Sequence, residues 1–263
     1  MASVWRRYGA TASLAAALGL GENGLVVFGY LLRLLRVVLL LSLWRSLFAG
    51  RGEVGGLALT EVLTYTLLSA AFAAQIDART NLDEAIWNGT VISRLLRPVP
   101  LFGDFLAEMG GRWAFGLITF TAPLFVFAPL LGVSVAPRSP AAGGLFVISL
   151  LLAIAVGTAL DFLFGSLIVW VDQSLWAVQY ARAGMIVVLS GALIPLPLFP
   201  WGIGTVLSWL PFASMASAPL LIYVGGGGAL PLLAGQAGWA VFLWWAATRV
   251  WNLSLPRMVS YGG

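Results

Sequence analysis

The chain contains no lysine, no histidine and no cysteine, and only 9% of its 263 residues carry a charge. Each absence excludes a class of chemistry. Without lysine there is no phosphate-binding GxxxxGK[ST] loop, so the usual nucleotide-hydrolysing loop is not carried by this chain. Without histidine or cysteine there are no imidazole bases, thiol nucleophiles, disulfides or usual zinc ligands. Any enzyme here would have to run on carboxylates, hydroxyls or arginine, and no cofactor is expected. The 14 basic residues are all arginines, scattered at the ends of apolar runs. With no basic stripe and no interleaved aromatics, the net charge of +4 is not a nucleic-acid signal. What is abundant is apolar side chain, 60% of the residues. A soluble domain carries about a quarter charged residues, so this is an integral membrane protein, read as an all-α polytopic bundle.

The first 24 or so residues begin with Trp5, Arg6, Arg7 and Tyr8 and continue as an Ala-rich stretch too short and interrupted to span. They predict an interfacial helix. No small-residue cleavage site follows a uniform apolar core, so no removable signal peptide is expected. Six spans are expected near 25–49, 57–76, 113–133, 144–171, 183–195 and 230–248. Arg33 and Arg36 snorkel to one face from the first span, and Arg45 to the other. Pro123 and Pro129 kink the third span unless packing satisfies the freed carbonyls. Glu61 lies near the outer end of the second span, and Asp161 lies in the inner half of the fourth. A carboxylate within the membrane costs about 2.5 to 3.5 kcal/mol on insertion scales, so Asp161 must face protein or water. It is either a substrate or proton contact or, the favoured reading, a carboxylate at the inner interface paired with an arginine; Glu61 is a second candidate polar group of the path.

From Ala183 to Thr248 there is no charged residue, and 66 residues exceed what two spans of about 20 need. Prolines 195, 197, 200, 211 and 219 forbid a continuous helix through the excess. Short re-entrant or interfacial helices at the outer face are expected over 196–228, with Trp201, Trp209 and Tyr223 as interface anchors. Phe199, Trp201, Trp209 and Phe212 are candidates for an outer gate, and Gly225 to Gly228 for a flexible joint. Orientation follows from the arginines. With the N-terminus inside, nine fall on the cytoplasmic side (6, 7, 79, 94, 97, 112, 182, 249, 257) and two in outer loops (51, 138), which places both termini in the cytoplasm. No repeat relates the two halves as in an inverted-repeat carrier.

The segment 77–112 is polar and lies between two apolar runs. Within it Asn81 with Glu84 is expected to cap a short helix. Asp83 and Glu84 at its start and Arg94 and Arg97 at its end suit the helix dipole, and Pro98 stops it. Asn88-Gly89 breaks it in two. Leu82, Ile86, Ile92, Leu95 and Leu96 form an apolar stripe that needs either a partner or the membrane surface.

The phrases WNGTVISRLLRPVP (87–100), SGALIPLPLFP (190–200), LPFASMASAP (210–219) and the terminal YGG (261–263), in this order and spacing, resemble the permease subunits of ABC-2-type exporters. The resemblance is in particular to the bacterial branch with six spans and a separately encoded ATPase. The N-terminal part matches least. The resemblance implies an elbow helix over 1–24, a coupling helix within 77–112 and re-entrant helices over 196–228. It implies that Glu84, Ile86, Trp87, Ile92, Arg94, Leu95, Leu96 and Arg97 meet the ATPase. It further implies two ATPase copies and a second permease chain, identical or related, in the lipid of a bacterial cytoplasmic membrane. ATP binding then closes the ATPase pair and switches the path from inward to outward access. Relatives handle drugs, peptides, lipids and glycans. Two other readings stand beside it: a proton-coupled carrier, and a membrane-embedded lipid-modifying enzyme using Glu61 and Asp161. The differing depths of the two carboxylates disfavour the enzyme.

Overall fold

The computed structural model describes residues 2–21, 23–96, 100–170 and 175–261, with side chains between 6 and 257 except those at 18–21, 23 and 25. The long apolar runs are helices, which in hydrocarbon satisfy each backbone N–H and C=O within one continuous segment. Helix α1 (Ala2–Gly21) precedes α2 (Asn23–Leu47), the first expected span. A two-residue hairpin unforeseen in the sequence follows, β1 (Glu53–Val54) against β2 (Leu57–Ala58). Gly55 and Gly56 both have positive φ, as a type I′ turn demands. A Cβ on Gly55 would lie 2.3 Å from the Pro197 carbonyl oxygen, so the glycine lets the hairpin seat on the 190s segment.

The second expected span is two helices, α3 (Leu59–Ala71) and α4 (Ala73–Asp77), broken at Phe72. The polar segment supplies α5 (Leu82–Trp87) and α6 (Thr90–Leu95). Helix α7 (Leu101–Gly116) continues through a π-helical turn (Leu117–Thr121), α8 (Ala122–Phe127) and a 3-10 turn (Ala128–Leu131). The third span thus begins well before Trp113, with Asp104, Glu108 and Arg112 on the helix itself. Asp104 and Glu108 are matched by Arg94 of α6 and Arg112 by Glu108 on the helix itself, so the helix need not end where the charges begin. The wide turn sits directly before Pro123, where the ring removes a backbone donor. Beside the 3-10 turn that ends this run, Arg45 stays exposed, as expected, while donating to the Leu131 carbonyl.

Ser139 caps α9 (Pro140–Leu167), its hydroxyl accepting the Ala142 N–H at 3.1 Å, and Pro140 occupies the first turn, where its missing N–H costs nothing. The fifth expected span falls on α10 (Leu175–Leu189), which also takes in Trp176 to Arg182 from the gap between the fourth and fifth expected spans. Helices α11 (Ile203–Ser208) and α12 (Ser217–Val224) lie among three 3-10 turns, and α13 (Ala229–Tyr261) runs past Thr248 with Arg249 and Arg257 on it. Among the described residues four helices are long and apolar enough to cross a membrane: Val26–Leu47, Leu101–Leu131, Pro140–Leu167 and Ala229–Arg257. The other two expected spans are the broken α3–α4 pair and the 15-residue α10, about 22 Å long at 1.5 Å per residue.

Helix α9 is the centre of the bundle, packed by α13, α12, α5 and α4. The main core includes Tyr65, Leu67, Leu68, Val156, Met215 and Leu220. The segment 211–217 penetrates it. A Cβ on Gly157 would lie 3.1 Å from the Met215 terminal methyl and 2.8 Å from the Ala78 side chain, one turn from Asp161. Its polar backbone is satisfied there: Gln236 donates to the Ser214 carbonyl at 2.8 Å, and Ser217 N–H donates to the Ser190 carbonyl at 3.0 Å. Gly225 and Gly226 form a packed helix stop rather than a loose joint. Gly225 is left-handed and Gly226 N–H donates to the Leu221 carbonyl at 2.9 Å, the Schellman pattern.

Candidate functional site

The two short helices α5 and α6 meet at Asn88-Gly89, where Gly89 takes φ 70°, as the sequence led one to expect. The cap differs. Asn81 is itself left-handed (φ 63°) and makes no side-chain cap bond. The hydroxyl of Thr80 accepts the Leu82 N–H at 3.4 Å instead, and the Asp83 carboxylate accepts the Glu84 N–H at 2.9 Å. The apolar stripe is divided between two partners. Leu82 and Val91 are buried in a second core with Phe105, Phe162 and Trp251, and Ile86 and Ile92 pack at its edge. Trp87, Leu95 and Leu96 point away, 56%, 40% and 82% exposed, beside exposed Glu84. Arg97 and Pro98 lie outside the described residues, as do the side chain of Trp5 and the terminal Gly262 and Gly263.

Arg94 clasps this element to α7. It pairs with Glu108 at 2.8 Å and Asp104 at 3.4 Å, and its guanidinium lies 4.4 Å from the Phe105 ring centre. Glu108 also pairs with Arg112 at 2.7 Å, and Arg112 donates to the Arg79 carbonyl at 2.9 Å. Behind α5, Asp83 pairs with Arg79 at 3.7 Å and accepts a bond from Gln179 of α10 at 2.9 Å. The exposed face of α5 and α6 is therefore carried on a support fixed from three sides.

Asp161 is buried and paired. Its carboxylate accepts the Thr80 N–H at 2.7 Å and the Thr80 hydroxyl, and lies 3.4 Å from Nε of buried Arg182. The latter is an ionic contact without hydrogen-bond alignment, since Arg182 Nε has no hydrogen-bond partner. Arg182 also reaches the Asp77 carboxylate at 2.9 Å and its carbonyl. This Asp77–Arg182–Asp161 cluster joins α4, α10 and α9. Glu61 is elsewhere, accepting the Ala58 N–H at 3.0 Å and pairing with Arg138 at 3.2 Å, next to the start of α9. From there to Asp161 is about 33 Å along α9 at 1.5 Å per residue, far beyond the reach of an acid–base pair.

A family model described as ABC-2 family transporter protein matches residues 34–262. The chain belongs to the ABC-2 transporter family. No curated protein and no solved structure matches it. The match leaves out α1 and the start of α2, the part where the sequence phrases are weakest, and it assigns the chain to membrane transport as a permease.

Two cavities open at the arginine-rich end of this ABC-2 permease. One, of about 440 Å³, lies between α2, α3, α4, α7 and α10 and is lined by Arg33, Arg36, Asp77, Arg79 and Arg112 together with Val37, Leu40, Ile186 and Val187. The other, of about 760 Å³, lies between α1, α2 and α7 and shares Arg33 and Arg112 with the first. Sequence reasoning placed Arg33 and Arg36 at the membrane face one by one. That they share a wall with Arg79 and Arg112 follows only from packing, as does the role of Arg182 and Asp77. The sole advance signal was a charge on each of several spans. At the other end Trp201 and Trp209 are largely exposed, while Phe212 packs against the main core and Phe199 against a small cluster with Leu196, Leu207 and Ala213.

Proposed function

We propose that this permease works with two copies of a separately encoded ATPase and a second permease chain, identical or related, to export an amphipathic or polymeric compound from the bacterial cytoplasm. The drug, peptide, lipid and glycan classes handled by relatives remain open to it. The observation that carries this reading is the exposed set Trp87, Leu95 and Leu96 on a support braced by Arg94, Asp83 and the second core. An apolar patch raised on a polar, charged segment is what a protein partner needs as anchor. In this reading the arginine-rich end is cytoplasmic, both termini are inside, and α5–α6 is the coupling element. ATP-driven closure of the ATPase pair pushes α5–α6. Leu82 against Phe162 and the Asp83–Gln179 bond pass the displacement to α9 and α10. The segment carrying Phe199, Trp201, Trp209 and Phe212 closes the outer end of the path.

The double change Leu95→Ala with Leu96→Ala tests it, because both side chains are exposed and their loss leaves the fold intact. Each truncation is expected to cost about 1 to 3 kcal/mol of docking, tenfold in affinity per 1.4 kcal/mol. The variant should express and insert normally yet lose the ATPase on purification, with ATP hydrolysis by the complex falling in step. A normally expressed variant that keeps its ATPase bound and stimulated removes the coupling assignment and leaves a lipid-facing loop.

A further inference from the structure

The smaller cavity has an unbalanced charge. It is lined by four arginines and one carboxylate, Asp77, and Asp77 is already held by Arg182. Arg112 is matched by Glu108 and Arg79 by Asp83. No carboxylate pairs with Arg33 or Arg36 among the described residues, and Arg33 has only the Phe120 ring, 5.5 Å from its guanidinium. Two exposed guanidinium groups on α2 thus line a cavity whose one carboxylate is already paired with another arginine. The apolar lining comes from Val37 and Leu40, one turn further along α2 from the two arginines, and from Ile186 and Val187 of α10.

We propose that this cavity binds the anionic headgroup of an amphiphile, a phosphate, sulfate or carboxylate ester held by Arg33 and Arg36, with the apolar portion against α2 and α10. The guanidinium fork matches such oxyanions in two-point geometry, and a space of about 440 Å³ lies in the range of ligand pockets. Arg33 and Arg112 also line the larger cavity between α1, α2 and α7, whose carboxylates Asp104 and Glu108 are paired with Arg94 and Arg112, so the same arginines face a second opening by which an amphiphile would reach the site. A small free anion would use the arginines but leave the apolar wall empty. The site deepens the exporter reading by naming a substrate class, and rests on that reading for transport but not for binding.

The full-length permease in neutral detergent is titrated with fluorescently labelled phosphatidylglycerol, and the bound probe is competed with dihexanoyl-phosphatidylglycerol, dihexanoyl-phosphatidylcholine or sodium phosphate. The anionic lipid is expected to compete at least tenfold better than the zwitterionic one, and phosphate alone to compete at least tenfold worse than the anionic lipid. Arg33→Gln and Arg36→Gln are each expected to weaken binding about tenfold, with Arg33→Lys and Arg36→Lys recovering part of it at an unchanged melting temperature. Equal competition by both lipids, an unaltered Arg33→Gln/Arg36→Gln double variant, or phosphate competing as well as the lipid each overturns the site. The exporter reading is scored separately on the same preparations. If the ATPase fails to copurify while lipid binding is selective, that reading falls and the site stands; if it copurifies without selective binding, the reverse holds.

Discussion

Arg182 is the residue on which the buried charges depend. It compensates Asp77 on one side and Asp161 on the other, and breaking a buried pair from one side leaves an uncompensated charge, at a cost of about 3 to 5 kcal/mol. Arg182→Gln is therefore expected to lower the melting temperature of the purified permease sharply. Asp161→Asn should do less, because Asp77 still holds the guanidinium and the amide oxygen can still accept from Thr80. A melt of Arg182→Gln that overlays the wild type would take the structural role from the cluster. At the other end Arg138 is mostly exposed beside Glu61, and a pair of that kind contributes about 0 to 1 kcal/mol.

At the scale of elements, α1 lies on α7 through glycine. A Cβ on Gly111 would fall 2.0 Å from the Ala12 carbonyl oxygen, and one on Gly103 would fall 2.2 Å from the Tyr8 hydroxyl, whereas one on neighbouring Gly110 would meet nothing within 4 Å. Gly111→Ala therefore pushes backbone against backbone and is expected to destabilise by about 1 to 3 kcal/mol. Gly110→Ala on the open face should instead stabilise the helix by a fraction of that, about 0.4 to 1 kcal/mol. Paired thermal melts of the two variants decide the matter, and equal shifts would mean that α1 does not sit where it is described. The same scale explains the α5–α6 element. Its helical period and its Asn88-Gly89 break were legible in the residues. Which side of it is buried was not, because Arg94 is drawn inward by Asp104, Glu108 and Phe105, and all three come from a different helix.

For the whole molecule, the absence of cysteine makes single-cysteine labelling clean. In the proposed orientation, Asn88→Cys reacts with impermeant reagent only from the cytoplasm, while Ala136→Cys and Val206→Cys react only from outside, all three sites being exposed. Ser214→Cys should stay unlabelled from either side, because that residue is buried and its carbonyl accepts from Gln236. Ser214 labelled from outside would mean that 196–228 lies on the surface; Asn88 labelled from outside would invert the bundle.

Composition alone determined that the chain lives in a membrane and that it carries no nucleotide loop of its own, and its continuous apolar runs, unlike the alternating pattern of a closed barrel, determined that its spans are helical. The prolines from 195 to 219 determined that the region before the last span could not cross as one helix, since each ring removes a donor wherever it stands. Only the tertiary structure decided how deep that region goes. Met215 reaches Gly157 because Gly157 has no side chain and because Gln236, far along the chain, satisfies the backbone at Ser214. Only it decided, too, which charges are spent on each other. Pairing among Asp77, Arg182, Asp161, Arg94 and Glu108 is set by distances between helices that no local pattern encodes, and it leaves Arg33 and Arg36 as the two cations of that cavity without a carboxylate among the described residues.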